Sequence, residues 1–69
     1  MTAMREVVYE CRYASGAEQR IAHVRAWDLR EAVELFAEEL ASDGVAAGGT
    51  ISAHAFGSSE KSEAAYPLR

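Results

Sequence analysis

Six carboxylates crowd one short stretch of this chain, at Asp28, Glu31, Glu34, Glu38, Glu39 and Asp43, with Arg30 as the one base among them. Side chains of this type in such density could exchange protons in catalysis, ligate a cation, or present a row of fixed negative charge to a basic partner. The stretch carries −5 and the whole chain −4, so everything outside it sums to +1. On a helix the six would span roughly 22 Å, one charge per roughly 4 Å, against about 3.4 Å in a single strand of DNA. Such a ridge repels nucleic acid and acidic membranes and attracts basic proteins. The competing reading is a solvated surface, because helices commonly turn Glu to water and favour acids near their N-terminus. Only Arg30 and Glu34 make an i,i+4 ion pair of the kind a purely structural helix surface uses, which favours the first reading. Leu35 projects among the carboxylates and would add apolar contact to the charge.

The other reactive side chains are sparser. His23, Glu10 and His54 could lie across three neighbouring strands, and two imidazoles with a carboxylate are legitimate zinc ligands. Strands about 4.8 Å apart place the outer two histidines about 9.6 Å from each other at the backbone, so ordinary surface histidines are expected, with no metal and no other cofactor. Cys11 falls on a strand side that faces a helix, where cysteine acts as a small apolar filler. Gly48-Gly49 lacks the flanking pattern and the following helix of a phosphate-cradling loop. The paired glutamates would sit on a convex surface without the water-excluded pocket that acid catalysis needs. An enzyme is therefore not expected. Direct nucleic-acid binding is not expected either, since Arg5, Arg12, Arg20 and Arg25 alternate with acids and form no basic stripe.

The elements that would position these groups can be read in order. Arg5 to Tyr13 and Gln19 to Trp27 are rich in β-branched and aromatic residues and predict two strands, joined by a turn centred on Ser15-Gly16. That turn sets Tyr13 opposite Glu18, Cys11 opposite Arg20, Tyr9 opposite Ala22 and Val7 opposite Val24, on the side that needs cover. Asp28 with Glu31 three residues on is a capping-box pattern, flanked by Trp27 and Ala32 in hydrophobic-staple positions. Gly44 stands where a left-handed residue ends a helix, with Val45 able to touch Leu40. Between them Leu29, Ala32, Val33, Phe36, Ala37 and Leu40 share one side. Thr50 to Phe56 alternates as a third strand. A right-handed helical crossover places it beside the first strand. The expectation is an α+β domain of ββαβ order over residues 1–57, with a three-stranded antiparallel sheet in the order 2-1-3 and one helix on one face. Residues 58–69 read as a polar C-terminal tail that could dock through Tyr66, Pro67 and Leu68.

One helix cannot cover both sides of a sheet. The open side would carry Met4, Val8, Ile21, Trp27 and Phe56 among charged residues, to be covered by the tail through Tyr66 and Leu68, by a foreign partner or by a second subunit, for which Val8, Ile21, Trp27 and Phe56 are the self-association candidates. The chain has 69 residues, one domain at most, of a size that buries only about 60% of its unfolded surface. Cys11 is the single cysteine, which excludes an intramolecular disulfide. No run approaches the roughly 18 apolar residues of a membrane span, and no secretory leader pattern opens the sequence. A cytoplasmic protein is expected.

In its size, its acidic helix with Glu31, Glu34, Leu35, Glu38 and Glu39 outward, and its single-layer sheet, the chain resembles the small phage-encoded inhibitors, in particular the anti-CRISPR proteins. The resemblance is to a class without a shared signature motif, and it assigns no residue. It implies an inhibitor working in the cytoplasm of a host cell, whose carboxylates at Asp28, Glu31, Glu34, Glu38 and Glu39, with Leu35, occupy the Lys/Arg-lined groove of a nucleic-acid-binding complex such as a CRISPR effector. The alternative is a small structural or regulatory module that dimerises through its open sheet face, its acidic helix serving solubility.

Overall fold

A computed structural model describes residues 6–55 and 61–66. The elements are β1 (Val7–Ser15), β2 (Glu18–Ala26), α1 (Leu29–Ser42), β3 (Thr50–Ala55) and β4 (Lys61–Ala65). All strand pairings are antiparallel, and the sheet runs in the order β2-β1-β3-β4 with the helix on one side. The α+β class and the neighbourhood of the first three strands are as the sequence predicts. The strand count is not: the stretch assigned to a polar tail supplies a fourth strand. Lys61–Ala65 has weak intrinsic preference for a strand, and what holds it is its register along β3, from Thr50 opposite Ala65 to His54 opposite Lys61. Ser62 and Ala64 turn inward while Lys61, Glu63 and Ala65 stay exposed.

Tyr66 completes this attachment. It is buried, its hydroxyl donates to the Val45 carbonyl at 3.1 Å, and its ring meets that of Tyr13 edge-on at 5.5 Å. The Tyr13 hydroxyl donates to the Gly48 carbonyl at 3.0 Å. Tyr66 is thus held as the end of a strand and on the helix-facing side of the sheet with Tyr13, not over the open face; Pro67 and Leu68 lie outside the described residues. At Gly49 the chain passes close against the hairpin. A Cβ there would stand 2.5 Å from the Ala14 carbonyl oxygen, and its φ of +93° is one that other residues rarely adopt.

The hairpin register differs from the predicted one by two residues. Ser15 pairs with Glu18, so the loop is Gly16-Ala17, and Tyr13 faces Arg20, Cys11 faces Ala22 and Tyr9 faces Val24. The reason is local. A tight loop of this kind needs a positive φ at its first central position, Gly16 has φ +56°, and no described residue other than glycine has a positive φ. Ser15 in that place would be strained. A slip of two keeps every side chain on its own face, whereas a slip of one would have reversed them all. The predicted inner row of Tyr9, Cys11 and Tyr13 therefore stays inside.

The helix begins and ends as its sequence signals. Asp28 Oδ1 accepts from the Glu31 amide at 2.8 Å, and Glu31 Oε1 reaches back to accept from the Trp27 amide, one residue earlier than in the usual capping box. At the other end the Val45 amide donates to Leu40 O and the Gly44 amide to Ala41 O, each at 3.0 Å, with Gly44 at φ +79°. This is a Schellman motif. Ala32, Val33, Phe36 and Leu40 press onto Tyr9, Cys11, Tyr13, Val24, Ala26, Ile51 and Ala53 to make the core. Alanines beneath the helix let it approach the sheet closely.

Candidate functional site

The core forces the opposite side of α1 outward, and with it Glu34, Leu35, Glu38 and Glu39, all exposed. Leu35 is 39% exposed. The six carboxylates divide by what already engages them. Asp28 and Glu31 bond to main-chain N–H groups of the cap. Glu34 lies 3.4 Å from Arg30, and Asp43 lies 3.5 Å from Arg20, which also reaches Glu18. Glu38 and Glu39 have no ion pair among the described residues. The anionic surface available to another molecule is thus centred on the C-terminal half of the helix, shorter than the full ridge that the sequence suggests. Arg20 was not legible as a helix neighbour, because its approach to Asp43 depends on how α1 lies across β2.

The open side of the sheet brings together the second set of reactive residues. Glu10 sits on the central strand directly opposite His23 on β2 and His54 on β3. Its carboxylate lies 3.8 Å from His23 Nε2 and 4.0 Å from His54 Nε2, and Arg12 Nε donates to it at 2.8 Å. The Arg12 hydrogen bond, assisted by its charge and by the two imidazoles, holds the Glu10 carboxyl below the ordinary carboxylate range against the opposing effect of burial. The three residues meet as the sequence reading allowed, in a charge cluster that Arg12 already occupies. Among the described residues no group of three or more His, Cys, Asp or Glu side chains has the geometry to hold a metal ion.

Among the described residues, the self-association candidates Val8, Ile21 and Trp27 do not form one apolar patch. Ile21 is 59% and Trp27 46% exposed, but Ile21 sits opposite Arg12 and Val8 opposite Arg25, with the Glu10–His23 pair between them. Phe56 and Met4 lie outside the described residues. A hollow of about 250 Å³ on this side is bordered by Arg12, Gln19, Ile21, Ser52 and Glu63 and brings opposite charges together.

Cys11 is fully buried, with its thiol directed at the Ala32 carbonyl at 3.9 Å. Burial, and then the negative charges of Glu39 and Glu10, push it up to about 11. It packs as a small apolar residue and is poorly reactive. No helix among the described residues is long and apolar enough to cross a membrane. Comparison with protein-family models, with curated proteins and with solved structures finds no match to this chain.

Proposed function

We propose that this chain is a non-enzymatic binding module whose acidic helix engages a basic surface on another macromolecule. The observation that carries this reading is the outward side of α1, where Glu38 and Glu39 are exposed without an ion pair among the described residues and flank the exposed Leu35. Uncompensated like charges on one helix cost stability, a cost that a binding role would offset. In its sharpest form the reading is the inhibitor one: carboxylates in place of phosphates in the Lys/Arg-lined groove of a nucleic-acid-binding complex such as a CRISPR effector. Glu34 and Leu35 join Glu38 and Glu39 in the contact, and Asp28 and Glu31 serve chiefly the cap. The charge-laced open face of the sheet gives the dimeric alternative less support.

The test is affinity capture from a host-cell lysate at low and high salt, with Glu38→Lys/Glu39→Lys beside the parent chain. The reading expects partners that are retained at low salt, released at high salt and lost in the double variant, because exposed charge pairs are screened. Partners held equally by both chains would refute it.

A further inference from the structure

The outer edge of β2 adjoins the same helix, and together they make a groove. β2 runs nine residues, from Glu18 to Ala26, with β1 on one side and no strand on the other among the described residues. Because its two-residue loop makes Ser15 and Glu18 a hydrogen-bonded pair, and antiparallel pairs alternate, the main-chain groups of Arg20, Ala22 and Val24 turn toward β1. Those of Gln19, Ile21 and Arg25 turn to the outside. Such an edge is a template for another strand. The opposite edge, β4, is five residues long, and short edges are poor templates.

Between this edge and the C-terminal half of α1 lies a recess of about 130 Å³, walled by Ile21, Ala22, Phe36 and Leu40 and rimmed by Arg20, Glu39 and Asp43. Its floor is apolar. Its rim has two carboxylates to one guanidinium, and that guanidinium already spans to Asp43, which leaves Glu39 as the open charge.

We infer that the β2 edge and α1 form a receptor groove for an extended basic segment of a partner protein, which adds as a strand to β2 and places a lysine or arginine over the recess. The stem of such a side chain lies over the half-buried Ala22, beside the buried Phe36 and Leu40, while its charge reaches Glu39. On its other face the added strand sets an apolar residue beside the exposed Ile21. Main-chain bonds then provide the affinity, and the recess with its rim selects the sequence, as in other strand-addition complexes. A second copy of this chain fits less well. An antiparallel β2–β2 pairing keeps both helices on the same face of the joined sheet and brings two acidic helices side by side. The inference rests on the proposed function only for the role of Glu39; the edge geometry is independent of it.

The probe is a nine-residue peptide of alternating lysine and valine, with a glutamate–valine peptide as its control, measured by calorimetry and by amide hydrogen exchange on the full chain. Slowed exchange is expected at the Ile21 and Gln19 amides with the lysine peptide and not with the glutamate peptide. Ile21→Pro removes an outward donor without touching the bonds to β1, and should weaken binding by at least about tenfold, the equivalent of one or two main-chain hydrogen bonds. Gln19→Pro is the second variant should the first unfold. Glu39→Lys should cost about tenfold at low salt and little at high salt. Absence of binding overturns the inference. Binding that depends on Glu38 and Glu39 but leaves the β2 amides unchanged overturns strand addition while leaving the acidic-helix reading intact. Protected β2 amides with no effect of Glu39→Lys overturn the choice of a basic segment. Concentration-dependent protection without peptide overturns it in favour of a second copy.

Discussion

Removing the Tyr66 side chain should come close to unfolding the domain. Tyr66 is 6% exposed, stacks edge-on against Tyr13 and bonds to Val45 O, and its own main chain exchanges bonds with Gly48 and Gly49. Truncating a buried aromatic ring to alanine costs about 3–5 kcal/mol, of which the pair with Tyr13 accounts for about 0.5–1.5. A chain of this length has about 3–10 kcal/mol to lose, at roughly 0.05–0.15 per residue. Tyr66→Ala therefore takes a large share of the total, and in the lower part of that range leaves no folded state. Tyr66→Phe removes only the hydroxyl bond to Val45 and should cost about 0.5–1.5 kcal/mol. Urea unfolding followed by circular dichroism reads both. With a denaturant slope of about 1 kcal/mol per molar, the phenylalanine variant should shift the midpoint by about 1 M, and the alanine variant should lack a folded baseline or shift by several times that. If Tyr66→Ala unfolds within about 1 kcal/mol of the parent, β4 is not part of the cooperative unit and the account of how the C-terminal segment is held is wrong.

Gly49→Ala combines a positive φ with a Cβ 2.5 Å from the Ala14 carbonyl oxygen, so a loss of about 2–5 kcal/mol is expected. Gly44→Ala also has a positive φ but open space around it, and thermal melts should show a loss of only about 1–2 kcal/mol. Replacing Arg12 with Met should let the Glu10 carboxyl rise toward its ordinary value, read by NMR titration of its side chain. Because that carboxyl is held low in the folded state, its contribution to stability is present above the unfolded value and fades as the pH falls through the folded one. In the Met variant the folded value moves toward the unfolded one, so this pH-dependent contribution should shrink and its loss should be complete at a higher pH. Cys11, raised from 9.0 to about 11, acts in the other direction. Its contribution is whole below about 9 and is lost as the pH climbs from there toward about 11, and Cys11→Ala should flatten that part of a stability–pH curve. A thiol reagent at mildly alkaline pH should label Cys11 only in step with unfolding; rapid labelling of the native chain would contradict its burial.

The features visible in the residues alone are those set by neighbours in the chain. Asp28 and Glu31 mark where the helix starts, and Gly44 and Val45 where it stops, because caps are built from groups a few residues apart. The inner row of Tyr9, Cys11 and Tyr13 and the outward placement of Glu34, Leu35, Glu38 and Glu39 follow from the strand and helix periods, which do not depend on what packs against them. The cluster of Glu10 with His23 and His54 could be foreseen because strand order fixes which rows touch, and it survived a two-residue error in the hairpin because such a slip preserves faces.

The turn is local too: glycine must hold the first central position, so it forms on Gly16-Ala17 and not on Ser15-Gly16, and that choice set the whole cross-strand register. Tertiary structure decided the rest. Lys61–Ala65 has too little intrinsic strand preference to be recognised by itself; it becomes β4 because β3 offers an unpaired edge and Tyr66 finds a buried place against Tyr13 and Val45. Which carboxylates remain open was equally a question of distance, answered when the helix lay across β2 and brought Arg20 to Asp43 while leaving Glu39 beside an apolar recess. Contacts between residues far apart in the chain are settled by the energy of the assembled core, and no local pattern encodes them.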